Sequence, residues 1–180
     1  MKRLLIIVGV LLVTLGVCAP IAQAQDMPSQ DVTYETDVYS DYGGLSFSFM
    51  VIDAGTPEAA EQVFLAVTEN AADTIEEQVA TEGEVIHVAT TIVPNVGDGA
   101  RGYVAFIKTD KGIVFEYGVI FVQDGQYVYV MVDVGVHGAY LDLCDLTMYY
   151  FMVYDREDGD LPPLELMPDG FQEVHGGASI

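Results

Sequence analysis

The chain has 180 residues, with 28 acidic against six basic side chains, a formal net charge of −22 and two cysteines. This length suits one domain with a full core. The charge argues against nucleic acid and anionic membrane surfaces as partners, because the field of the whole protein repels both.

Met1-Lys2-Arg3, the apolar run Leu4 to Val17 and the small-x-small site Ala22-Gln23-Ala24 read as a secretory signal over residues 1–24. The protein is therefore expected to be secreted, periplasmic or at the cell surface, and the short basic region suggests a bacterial export signal. Two alternatives stay open. The apolar run to Ala22 is nearly long enough to be an uncleaved membrane anchor. Leu15-Gly16-Val17-Cys18 resembles a lipoprotein cleavage box, against which the bulky Val17 counts. Removal of the signal takes Cys18 with it, leaving Cys144 and no internal disulfide. Past the signal, only Arg101, Lys108, Lys111 and Arg156 are basic. So acidic a chain calls for salt, divalent cations or a basic partner, and a halophilic or marine source would be one explanation.

Residues 25–154 read as a single domain. Asp26 to Asp31 is a polar lead-in. Val32 to Tyr39 and Leu45 to Ile52 alternate and form a hairpin through Asp41-Tyr42-Gly43-Gly44. Thr56, Pro57 and Glu58 suit the N-cap and first turn of a helix over 57–80. Ala60, Val63, Phe64, Val67, Ala71, Ile75 and Val79 make its apolar stripe. Its other side is acidic without compensating bases, as expected of a solvated face. Glu84 to Val93 reads as a strand with Ile86, Val88, Thr90 and Ile92 on one side.

Arg101 to Val134 reads as a three-stranded meander. Asp110-Lys111-Gly112 suits a three-residue loop ending on a left-handed Gly, which places Lys108 opposite Val114 and Phe106 opposite Glu116. Asp124-Gly125 suits a two-residue hairpin turn, which places Gln123 opposite Gln126 and Glu116 opposite Asp133. One face then carries Tyr103, Ala105, Ile107, Phe115, Tyr117, Val119, Phe121 and the valines 128, 130, 132 and 134, and should be the core. The other face carries Lys108, Glu116, Asp133, Tyr127 and Tyr129, and reads as the wetter one.

Ala139 to Tyr154 is apolar nearly all round and reads as a helix, buried on several sides or left as a docking surface. Its aromatic density also allows a strand. Asp155 to Ile180 is rich in acid, Pro and Gly and reads as a disordered tail. The whole is an α+β domain: an antiparallel sheet of about six strands packed on one long helix, with an apolar C-terminal helix.

Gly97-Asp98-Gly99-Ala100, then a strand, then a hairpin turning at Gln123-Asp124-Gly125-Gln126, resembles small exported bacterial α+β domains of unassigned function. The likeness covers roughly residues 32–134. It implies an extracytoplasmic domain and supplies no catalytic residues.

No GxSxG, HExxH, phosphate-binding loop or dinucleotide fingerprint occurs. His87, His137 and His175 lack metal-ligand spacing, and Asp155, Glu157, Asp158 and Asp160 lack the calcium-loop pattern. No metal or cofactor is expected. The reading is an exported, non-catalytic binding or interaction domain. Glu116, Asp133 and Lys108, walled by Tyr127 and Tyr129, are the candidate site for a small molecule, sugar, amine or basic peptide. Two alternatives are a hydrolase-like enzyme using Glu116 and Asp133 as an acid–base couple, and an assembly subunit or oligomer docking through 139–154.

Overall fold

The computed structural model describes residues 33–41, 45–136 and 138–175. The expected signal segment with its cleavage site and Cys18, the lead-in 26–31, the turn residues 42–44, His137 and residues 176–180 lie outside the described residues.

Thr33–Ser40 (β1), Ser46–Asp53 (β2), Glu84–Thr91 (β3), Gly99–Lys108 (β4), Val114–Asp124 (β5), Tyr127–Gly135 (β6) and Gln172–His175 (β7) form one sheet. Its spatial order is β3-β4-β5-β6-β2-β1-β7, with every pairing antiparallel. Three α-helices accompany it: Pro57–Glu69 (α1), Ala71–Val79 (α2) and Ala139–Met152 (α3).

One face of the sheet packs on α1 and α2 as the alternation dictates. Tyr103, Ala105 and Ile107 from β4, Tyr117, Val119 and Phe121 from β5, and Val128, Val130 and Val132 from β6 meet the full predicted helix stripe. Burying a Val, Ile or Phe side chain contributes about 1.5–3 kcal/mol. Like-charge pairs on an exposed helix face cost only about 0.5 kcal/mol or less each. The stripe therefore decides how this helical segment sits, despite its acidic outer side.

The expected single helix over 57–80 is two. Thr56 caps α1, accepting from the Ala59 N–H at 3.2 Å, and Pro57 opens it. The break falls at Asn70, between the two helices. Just before it, the Tyr103 hydroxyl donates to the Thr68 carbonyl at 2.8 Å, and the Thr68 hydroxyl donates back to the Phe64 carbonyl at 2.7 Å. A carbonyl claimed from outside and a back-bonding Thr both weaken the helical ladder there.

The β4–β5 register is the expected one, with Lys108 opposite Val114 and Phe106 opposite Glu116. Gly112 holds its left-handed conformation, with φ at 76°. The β5–β6 turn is displaced by one residue. The loop is Gly125-Gln126, Asp124 pairs with Tyr127 and Gln123 with Val128. Only Gly125 has positive φ in this turn (57°), so the loop opens on the glycine and Asp124 stays extended. The displacement moves each partner by two, which preserves the faces but separates the acids. Asp133 is opposite Gly118, and Glu116 is opposite Gly135.

In β3 a bulge between Val85 and His87 turns both Val85 and Val88 toward the core and leaves Ile86 outside. The expected alternation through Ile86 fails for that reason.

The largest correction concerns the second face of the sheet, which is a second core. Phe47, Phe49 and Val51 from β2, Ile120 and Val122 from β5, and Tyr129 and Met131 from β6 are buried under Tyr140, Leu143 and Tyr150 of α3. The sheet is thus sandwiched between helical layers, rather than being one layer on a single helix. The segment from Asp155, expected to be disordered, is ordered in its described part. It places Met167 on this second core, forms a 3-10 turn at Leu164–Leu166 and adds β7 to the edge of β1, the strand beyond the expected six.

Candidate functional site

The five residues singled out in the sequence fall in three places. Lys108 ends β4 at the surface, its Nζ 4.0 Å from a Glu84 carboxylate oxygen. Glu116 and Asp133 are diagonal neighbours beneath the start of α3. Tyr127 and Tyr129 lie at the other end of β6, their ring centroids 6.4 Å apart. Four residues of strand, about 13 Å, separate Tyr129 from Asp133. The structure keeps each pair together but does not bring the two pairs into one pocket.

Glu116 has a local task. α3 starts after Gly138, whose φ is 100° and which offers no capping side chain. The Glu116 carboxylate reaches across from β5 instead. Its Oε2 accepts from the Gly138 N–H at 3.0 Å and its Oε1 from the Tyr140 N–H at 2.7 Å. A helix N-terminus presents unsatisfied N–H groups and partial positive charge, and this carboxylate answers both.

Asp133 is fully buried, and among the described residues neither of its oxygens completes a hydrogen bond. Burial pushes its carboxyl well above the usual carboxylate range, and the nearby Glu116 charge adds to this. The N–H groups of Asp133 and Gly118 lie close enough to favour the charged form slightly. Gly118 makes the space: a Cβ there would lie 2.0 Å from Asp133 Oδ1 and 2.6 Å from the Tyr140 ring. Gly102 does the same for the other end of that ring, since its Cβ would fall 2.2 Å from the Tyr140 hydroxyl. Tyr140 therefore lies flat over a glycine floor and donates to the Ile92 carbonyl at 3.1 Å.

The tyrosine end does hold a cation, but one from the same chain. The Arg156 guanidinium lies 5.6, 5.5 and 4.6 Å from the ring centroids of Tyr129, Tyr150 and Phe151. It is ion-paired with Asp124 and donates to the Tyr129 hydroxyl at 3.1 Å. That hydroxyl also accepts from the Gly159 N–H at 2.8 Å. Burial raises the Tyr129 hydroxyl above its ordinary value, although Gly159 and Arg156 pull the other way. Of these three rings the sequence singled out Tyr129 alone, as a wall for Glu116 and Asp133 rather than for Arg156. The available signal was that Arg156 is one of only four Lys or Arg residues past residue 24.

The two turns that carry the sequence resemblance touch one another. Asp98 accepts from the Gly125 N–H at 2.9 Å and donates its own N–H to the Gln123 carbonyl at 2.8 Å. These contacts hold the β5–β6 turn and give the Gly-Asp motif a structural role.

Among the described residues, depressions open to solvent include the following two. The larger, about 410 Å³, runs between α3 and the 3-10 turn. Phe47, Leu146 and Leu166 line its apolar side, and Asp142, Asp145 and Glu165 supply its charge. The smaller, about 230 Å³, is where Tyr127 emerges, beside Tyr34, Glu35, Asp53, Asp158 and Asp160. Neither is lined by a Lys or Arg side chain. Among the described residues no cluster of three or more His, Cys, Asp or Glu could hold a metal ion. None of the described helices is long and apolar enough to cross a membrane.

No protein-family model matches the chain, and no curated protein matches it in sequence. Among solved structures, it is similar to the extracellular domain of PknH from Mycobacterium tuberculosis, with a TM-score of 0.41 and 12% identity over 72% of this chain and 71% of that one. It is also similar to PA94 from Pseudomonas aeruginosa, a protein of unknown function, with a TM-score of 0.33 and 13% identity over 73% of this chain and 90% of that one. Both are distant likenesses, and nothing about the activity of this chain rests on them.

Proposed function

We propose that the protein is an exported, non-catalytic binding domain whose ligand is cationic, an amphipathic basic peptide above all. The observation that carries this reading is the groove beside α3, where three carboxylates rim an apolar wall with no basic side chain among its lining residues. Its volume of about 410 Å³ falls within the usual range for ligand sites, about 300–1,000 Å³. The depression at Tyr127 falls below that range and supports a secondary contact at most. The acid–base couple of the hydrolase reading is sealed: Asp133 is inaccessible and Glu116 is engaged by the start of α3.

Calorimetric titration with a Lys- and Leu-rich amphipathic peptide tests the proposal. Binding should weaken with added salt, and Asp142→Lys with Asp145→Lys should weaken it about tenfold or more. Affinity indifferent to both changes would sink the reading.

A second reading, assembly through 139–154, is favoured by one observation. Leu141, Met148 and Met152 stand on the exposed side of α3, and Leu141 is 68% accessible. Sedimentation decides it: self-association that Leu141→Lys abolishes supports it, and a monomer at high concentration rejects it.

A further inference from the structure

Among the described residues two carboxyls are buried, Glu116 and Asp133, and they lie under the same helical turn. One grips that turn through two N–H groups, while the other grips nothing. The geometry points to a proton-linked catch: with Asp133 protonated, Glu116 holds the first turn of α3 against the sheet, and loss of that proton loosens the turn.

A neutral carboxyl tolerates this site and a charged one does not. The space around Asp133 is filled by the Tyr140 ring and Gly118, where even an added Cβ would collide with both side chains. Groups facing Asp133 are Glu116 from β5, Phe47 from β2, and Tyr140, Asp142 and Cys144 from α3; Tyr117, packed in the other core, interacts with its charge through the sheet without contact. The charges acting on it are those of Glu116 and Asp142, both acidic, and no described basic side chain is among them. An ionised Asp133 would place a second negative charge beside Glu116, with no side-chain donor at either oxygen and only the Asp133 and Gly118 N–H groups nearby. The cheapest relief is local. The start of α3 lacks a capping side chain of its own, so lifting this one turn brings water to Asp133.

The sign follows from the raised carboxyl value of Asp133 in the folded state. Its contribution to holding the turn is complete below the ordinary carboxylate range. That contribution is lost as pH rises toward the raised folded value. Within this window the opening equilibrium grows by up to about tenfold per pH unit. Since α3 also supplies Asp142, Asp145 and Leu146 to the groove, proton loss would loosen a wall of the cation site. Only that last link rests on the proposed function.

Amide hydrogen exchange at Tyr140 and Leu143 of the full chain, from pH 4 to 8, tests the catch. Protection corrected for intrinsic base catalysis should fall by up to about tenfold per pH unit in the wild type and stay level in Asp133→Asn. Carbon-13 titration of Asp133 in the wild type needs no variant and should show a carboxyl ionising above the ordinary range. An ordinary Asp133 titration overturns the catch, and so does an unchanged slope in Asp133→Asn. A slope that vanishes in His137→Gln assigns the effect to the imidazole and overturns it too. If the slope persists while basic peptides fail to bind, the catch stands and the binding reading falls.

Discussion

Asp124 and Arg156 are 32 residues apart in sequence and form an ion pair closed over by aromatic rings. Asp124 ends β5, while Arg156 lies in the segment after α3. The pair fastens that segment over Tyr129 and so covers one end of the second core.

Arg156→Ala should therefore cost about 2–4 kcal/mol, since it strips Asp124 of its partner and empties the space between three rings. Arg156→Lys should recover only part of this, because an ammonium cannot stack and fork at once. Urea unfolding of the two variants checks both statements. A loss below about 0.5 kcal/mol for the alanine variant would mean that the pair behaves as an ordinary surface contact.

Glu116→Gln should lower stability by about 1–2 kcal/mol and speed exchange at the Tyr140 amide. The amide keeps one acceptor but turns an NH₂ toward one of the two N–H groups that the carboxylate now satisfies. Glu116→Ala should cost more, because both donors lose their acceptor. Thermal unfolding with residue-resolved exchange measures the order of the two.

Gly118→Ala should be among the most damaging single methyl additions in the protein, at about 3 kcal/mol or more. The added carbon would collide with Asp133 Oδ1 at 2.0 Å and with the Tyr140 ring at 2.6 Å. Combining it with Asp133→Ala should relieve the first collision and leave the second. A double-mutant cycle should then give a coupling of about 1 kcal/mol or more. Strict additivity would show that the two residues do not share the space.

Gly97→Ala should cost more than Asp98→Ala. Gly97 sits at a φ of 61°, and a Cβ there would lie 2.2 Å from the Gln123 carbonyl oxygen. Asp98→Ala loses one exposed hydrogen bond to Gly125, about 1 kcal/mol. Denaturant midpoints at equal slope compare them directly.

What could be read from the sequence was local. The helix stripe from Ala60 to Val79, the Thr56 cap and the Gly112 turn depend on neighbours within a few residues. The inner face of the meander followed from alternation alone, and a turn misplaced by one residue left its parity intact. The second face was misread because Glu116, Asp133 and the tyrosines were given more weight than Phe47, Ile120, Val122 and Met131 between them. Strands apolar on both faces signal cover on both faces, and β2 and β6 carried that signal. Asp98 holding Gly125, Arg156 filling the aromatic ring and Glu116 capping α3 are contacts across 27, 27 and 22 residues. Periodicity says nothing about partners so far apart.

The pairing of Gln172–His175 with β1, and the stacking of Phe171 on Phe47 at 5.3 Å, set an order of events for a chain that emerges N-terminus first. Until residues 171–175 arrive, β1 is a bare edge and Phe47 has the Phe49 ring but not the Phe171 ring beside it. A nascent chain halted at residue 160 would therefore carry an unprotected strand rim able to recruit other chains. Residues 171–175 are the ones that close it.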